Sequence, residues 1–235
     1  MSAIKLSAQK VRDVSNLKKI AEAWREYSIN RSYGKMPISE EKYGTHFIQL
    51  LSGCGENFDT GAKAGRVDGC ILNDPYVYVS PGDKYASPIQ NETIGRLTQD
   101  GAWYWSYPLK LVSNGLGPGS EIFSYCLAWG IDPSASLDTT PLGFTRGLKE
   151  NGYWDEKYGL YGSKGGYVVF CDGHTTWFDG SKPAKFLKWD RSGYTNNIRE
   201  TLAKDVLITC GYNVRNNVRG TDNSLLVTHH FGLAE

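Results

Sequence analysis

The stretch "SAIKLSAQKVRDVSNLKKIAEAWREYSIN", Ser2 to Asn30, contains no glycine and no proline, although the whole chain holds 27 glycines and 9 prolines. A run of that length without a breaker predicts one long helix. At about 100° per residue, Val14, Leu17, Ile20, Ala21, Trp24 and Tyr27 fall on one side, and Arg12, Lys18, Lys19, Glu22, Arg25 and Glu26 on the other. The second half of the helix therefore has a packing face and a solvated face. Ile4, Ala8 and Val11 sit on a different azimuth, pointing away from that packing face. Any fold for this chain must give the helix one partner for its second half and another for its first.

Gly34 and Pro37 end the helix. "ISEEKYGTHFIQLLSGC" then reads as a shorter helix with Ser39 as its cap. Beyond it the chain changes to strands and turns. "YVYVSPGD" alternates and ends in a Pro-Gly turn, "AWYWSYPLKLV" is an aromatic strand pair broken at Pro108, and "EIFSYCLAWG" follows the glycine loop "NGLGPGS". Asn151-Gly152 marks a further turn. "YTNNIRETLAKDVLITCGYN" reads as a short helix capped near Thr195 or Asn196, then a strand ending near Cys210. "SLLVTHHFG" fits an edge strand or a loose tail. With no repeat or linker, the expectation is one α+β domain over residues 1–235. Its helix covers 1–30 and a β-rich head with loop-rich insertions covers 31–180, the helix packing on an antiparallel sheet; a C-terminal extension covers 181–235.

Twenty-six basic residues against 25 acidic ones leave a formal charge of +1, with no block of like charge. Such a balance gives no field to recruit nucleic acid or a membrane surface, and no nucleic-acid partner is expected. Seven Trp and 15 Tyr fit hairpin and core packing, and a sugar-binding surface would carry the same bias.

"GYVVFCDGHTTWFDG", Gly166 to Gly180, sets Cys171, Asp172 and His174 within four positions. Asp-Gly between two β-rich runs is a strong hairpin signal. With Asp172-Gly173 as a two-residue turn, Cys171 faces His174, Phe170 faces Thr175, Val169 faces Thr176 and Val168 faces Trp177. Both faces are then largely apolar, which places the hairpin in the middle of the sheet. A thiolate–imidazole pair of Cys171 and His174 is geometrically open to such a turn. Nothing nearby supplies an orienting group or an oxyanion hole, so Asp172, Gly173 and His174 read as a turn.

Cys54, Cys70, Cys126, Cys171 and Cys210 form an odd set with no CxxC pair, unlike the common zinc frameworks. They fit at most two bridges and one free thiol, or five reduced core thiols. Cys54–Cys70 is the favoured bridge, because the intervening residues look like a surface loop that it would restrain. Asp74, Asp83, Asp179 and Asp190 lie in turns without EF-hand spacing, and adjacent His229 and His230 would point to opposite faces of a strand. "NGLGPGS" lacks the Lys-Ser/Thr of a phosphate loop, and neither G-x-S-x-G nor H-E-x-x-H occurs. No metal, cofactor or catalytic residue is expected.

"VSNLKKIAEAWREYSINRSYGKMP" resembles the soluble half of the N-terminal helix in type IV pilin-like proteins and type II secretion pseudopilins. The resemblance rests on Asn16-Leu17-Lys18, Tyr27 and the break from Gly34 to Pro37. "FSYCLAWG" is similar to a Ser-Tyr strand of that family, and "GSKGGYVVFCDGHTTWF" to its Gly-Gly, Asp-Gly-His hairpin. "YVYVSPGD" is similar to a segment usually written with Cys-Pro before the turn; Ser80 stands here instead, so that family disulfide is not carried over. The likeness covers roughly residues 1–180.

The resemblance implies a structural, non-enzymatic subunit of a pseudopilus or type IV pilus-like filament. It would be anchored in the inner membrane by an apolar segment ahead of this helix, with the head in the periplasm or outside. Ile4, Ala8 and Val11 would then meet neighbouring pilin or pseudopilin helices, while Val14, Leu17, Ile20, Trp24 and Tyr27 pack on the sheet. A different class of function is a secreted carbohydrate-binding module, with Trp103, Trp105 and Tyr107 alternating onto one strand face to stack on sugar rings.

Overall fold

The glycine-free opening forms a single 28-residue helix, α1 (Ala3–Asn30). The computed structural model describes residues 3–30, 72, 77, 79–83, 96–97, 103–104, 120–129, 131, 134–203 and 206–213. In chain order, β1 (Arg96–Leu97) pairs with β2 (Trp103–Tyr104) in a two-residue ladder. There follow β3 (Ser120–Trp129), β4 (Pro141–Thr145), β5 (Gly165–Phe170), β6 (Thr175–Asp179), β7 (Phe186–Leu187), β8 (Tyr194–Thr195) and β9 (Leu207–Asn213). Five of these make one antiparallel sheet in the order β6-β5-β4-β3-β9. The protein is thus α+β, an N-terminal helix with an antiparallel sheet.

The sheet is a meander from β3 to β6, with β9 returning to the free edge of β3. Residues 207–213, expected within a C-terminal extension, therefore complete the sheet of the head. The helix expected before β9 is a single 3-10 turn, Ile198–Thr201, capped by Asn197, whose side chain accepts from the Arg199 N–H at 2.9 Å. Four residues are too few to nucleate an α-helix without tertiary support. The segment "YVYVSPGD" also departs from expectation. Val77 has 3-10 geometry and Val79 lies in a bend, and both are buried as packing residues. The Pro-Gly turn does form, with the Asp83 N–H donating to the Ser80 carbonyl at 3.1 Å.

Both faces of the sheet are covered. On one, α1 lies over β4, β5 and β6. Leu17, Ile20, Ala21 and Trp24 are buried there, Val14 is half-buried, and the Lys10 ammonium sits 3.5 Å from the centre of the Trp177 ring. Fully burying a Leu or Ile side chain contributes about 1.5–3 kcal/mol, so this face anchors the helix. Because side chains alternate along a strand, Phe178 points the other way from Trp177. There it packs on Phe186 of β7 at 5.0 Å, and the buried Ala184, Ile198, Leu202 and Val206 extend that second layer.

The β5–β6 hairpin differs from expectation in register and position. Val169 pairs with Thr175, Val168 with Thr176 and Tyr167 with Trp177, one residue out from the expected ladder. The reason lies in the turn. A two-residue turn needs positive φ at both Asp172 and Gly173, and only Gly173, at 91°, has it. Cys171, Asp172 and Gly173 form a three-residue loop instead, closed by Gly173 N–H to Phe170 O at 2.8 Å and Phe170 N–H to His174 O at 3.0 Å. The shift turns β6 over, so Trp177 joins Tyr167 (ring centres 4.9 Å apart) and not Val168. The hairpin also lies at one side of the sheet: β6 is its edge strand, half-exposed, while β5 is buried on both faces. Gly166 permits that burial, since a Cβ there would stand 2.2 Å from Thr145 Oγ1 and 2.3 Å from the Trp154 ring.

Candidate assembly helix and the polar lock beneath it

The first half of α1 is the most exposed apolar feature of the structure's helix. Ile4 is 83% exposed and Val11 70%, and Ala8 between them is exposed. They lie along a helix that buries Leu17, Ile20, Ala21 and Trp24 further on. Tyr27 falls within α1, but its side chain is outside the described residues.

Beneath the same half runs a stripe that the sequence reading missed. Gln9, Asp13 and Asn16 are buried. Their spacing of four and three, continuing to Ile20 and Trp24, follows one helical face, and this periodicity was the available signal. Polar residues on the inward stripe must find partners. Asp13 accepts from Tyr125 Oη at 2.7 Å, from Ser80 Oγ at 3.0 Å, and from Tyr161 Oη. Gln9 Nε2 donates to Ser80 Oγ at 3.1 Å, and Asn16 Nδ2 to Tyr125 Oη at 3.2 Å. Thus one carboxylate on α1 ties together the 80–83 turn, β3 and the segment before β5.

A second buried charge extends the network. Arg146 grips Asp83 through two parallel bonds, Nη1 to Oδ2 and Nη2 to Oδ1, each 2.7 Å. Their side chains are 2% and 1% exposed. Ser124 Oγ donates to Asp83 Oδ2 at 2.6 Å and accepts from the Ser80 N–H at 2.8 Å, which joins the ion pair to the Asp13 cluster. Arg146 Nε reaches the Tyr158 carbonyl at 3.0 Å. Planar, bidentate geometry suits guanidinium and carboxylate to burial together.

Burial sets the proton affinities here. Desolvation pushes the Asp13 carboxyl above its ordinary 3.8, outweighing the bonds from Tyr161, Tyr125 and Ser80 that pull it down. Desolvation, followed by the neighbouring Asp13 charge, raises both Tyr125 and Tyr161 well above the usual phenol value. Both hydroxyls stay protonated and remain donors.

In the Cys-Asp-His turn the imidazole is held by its neighbour and the thiol is buried. His174 Nδ1 lies 2.6 Å from Asp172 Oδ1, and the His174 N–H donates to the same oxygen at 2.9 Å, an Asx turn. The imidazole stacks on Phe170 at 4.3 Å and 8°, its partner across the turn, whereas a two-residue turn would set it opposite Cys171. Cys171 is a buried free thiol, and burial with the Asp172 charge nearby pushes its pKa up to about 12. Near neutral pH the thiol form dominates, and it is the thiolate that reacts. Iodoacetamide should therefore leave Cys171 unlabelled in the folded protein and label it after denaturation, as read by peptide mass mapping; rapid labelling of the folded chain would reopen a nucleophilic role.

Cys126 is disulfide-bonded, which selects the oxidised of the two expected cysteine patterns. Cys54 and Cys70, the favoured bridge, lie outside the described residues, as do Trp105, Tyr107, Asp74, His229, His230, the second helix and residues 114–119 of the glycine loop. Trp103 is in β2, its side chain outside the description. Among the described residues no group of three or more His, Cys, Asp and Glu could hold a metal ion. No helix among them is long and apolar enough to cross a membrane. Comparison with protein-family models, curated proteins and solved structures finds no match for the chain.

Proposed function

We propose that the chain is a structural, non-enzymatic subunit of a pseudopilus or pilus-like filament, assembled through the first half of α1. The observation that carries this reading is the exposed face of Ile4, Ala8 and Val11 on a helix locked to the head from its opposite side. Exposed apolar side chains are common singly, but a helical row beside a rigidly held inner stripe suits helix–helix contact. A filament subunit transmits force and position from helix to head, and a buried, directional network fixes that angle better than apolar packing alone. The resemblance to pilin-like proteins points the same way. The Cys126 disulfide fits a head in an oxidising compartment such as the periplasm. In this reading an apolar segment ahead of the helix anchors it in the inner membrane, and other pilin or pseudopilin subunits are its partners.

Ile4→Asp and Val11→Asp test the proposal. Both positions are exposed, so thermal stability of the head should change by less than about 0.5 kcal/mol. Sedimentable filaments in cells producing the variant should be lost, while Lys185→Asp, an exposed position on the head and outside α1, leaves them intact. Unaltered filaments with both variants would remove the helix face from assembly.

A further inference from the structure

A cavity of about 270 Å³ opens between the 131–140 segment and the β7–β8 hairpin, away from α1. Its size is just under the roughly 300–1,000 Å³ of pockets for drug-sized ligands, so it accommodates one ring with its substituents. Buried Ile131 and Leu202 contribute apolar wall, and Ser136 and Thr139 bring hydroxyls to it. Two lining residues on the hairpin loop stand out. Trp189 is 61% exposed, which wastes a large apolar surface unless something covers it. Arg191 is the one non-glycine residue with positive φ among those described, at 59°, and its guanidinium pairs with no side chain there. The other lining cation, Lys188, is held by Glu200 at 3.1 Å. Asp138 feels the Arg191 charge but neither lines the cavity nor forms an ion pair with it.

We propose that this cavity binds a single acidic sugar unit, a hexuronate, with its ring on Trp189 and its carboxylate on Arg191. The chemistry of the wall matches that ligand part by part. An indole face takes the axial C–H surface of a pyranose, and a free guanidinium takes a carboxylate bidentately. The hydroxyls of Ser136 and Thr139 supply exchangeable donors and acceptors for sugar hydroxyls, although Ser136 Oγ donates to Asp138 Oδ1 at 2.7 Å. A left-handed backbone at Arg191 is disfavoured for a side chain of that size, and the loop keeps it at a residue that lines the cavity. The proposal is independent of the filament reading, since α1 takes no part in the cavity.

The test is calorimetric titration of the full chain with galacturonate, glucose and inorganic phosphate, for wild type, Trp189→Ala and Arg191→Gly. A one-ring ligand in a cavity of this size should bind in the millimolar range. Arg191→Gly is the decisive variant, because glycine relieves the left-handed backbone and the fold should be kept or improved. Galacturonate binding should weaken about tenfold or more in each variant, and glucose should bind the wild type about tenfold more weakly than galacturonate. No galacturonate binding, binding indifferent to both variants, or equal binding of glucose would overturn the proposal. Phosphate binding as tightly as galacturonate would overturn it too, reducing the cavity to an anion site.

Discussion

Replacing Arg146 with alanine will cost the protein about 3–5 kcal/mol of folding stability, enough to unfold much of it near physiological temperature. The expectation follows from what is left behind. Asp83 would keep its buried carboxylate, 1% exposed, with the Ser124 hydroxyl but without the two guanidinium bonds. A buried, uncompensated charge is far costlier than a pair that is absent altogether. The double variant Arg146→Met/Asp83→Ala should therefore recover most of the loss in urea denaturation, since it removes both charges and keeps apolar volume. If Arg146→Ala alone costs less than about 1 kcal/mol, the pair is not sealed from solvent as the structure places it.

Asp13→Ala carries the next largest effect, about 3 kcal/mol, because it orphans several donors at once. Tyr125, Tyr161 and Ser80 would lose the acceptor on which their hydroxyls converge. Unsatisfied buried polar groups cost about 1–3 kcal/mol each, and rearrangement among the three hydroxyls offsets part of the sum. The same residue makes a pH prediction with a definite sign. Its folded pKa is raised above 3.8, so the folded chain holds this proton more tightly than the unfolded one. Protonation thus favours the fold. The contribution of Asp13 is greatest below about pH 3.8, falls as pH rises through the raised folded value, and is level above it. Asp13→Asn, which cannot ionise, should flatten that component of the stability–pH curve. An unchanged curve would mean that Asp13 is well solvated.

These two predictions rest on residues that were hard to read before the fold was known. The helix was legible because breakers are absent from its 28 residues, and its outer and inner faces followed from periodicity alone. Yet Gln9, Asp13 and Asn16 occupy that periodicity as polar residues, and polarity argues for solvent unless partners are known. Those partners are 67 to 148 residues away along the chain, at Ser80, Tyr125 and Tyr161, beyond any local signal. The hairpin shows a finer limit. Asp-Gly located the reversal, but the choice between a two- and a three-residue loop turned on the backbone of Asp172, and one residue of register exchanged the faces of β6. β4 escaped notice for another reason: "PLGFT" begins with proline and carries a glycine, both depleted in strands. Gly143 belongs there because a Cβ would lie 2.7 Å from Leu127 Cδ2 and 2.9 Å from the Cys126 carbonyl, an approach that only the packed sheet reveals.

The polar lock and the exposed stripe are complementary parts of one proposal. The lock sets the helix against β3 and the 80–83 turn and leaves the opposite azimuth of its first turns exposed. The central claim is that this azimuth continues an assembly helix, and the most direct measurement is the mass and N-terminal sequence of the protein isolated from the cells that make it. We predict a mature chain in which about 20 apolar residues lead directly into "SAIKLSAQK", with a short basic leader in its gene and absent from the product. A native chain that begins at Met1 or Ser2 would contradict the claim, because the helix would have no membrane anchor from which to assemble.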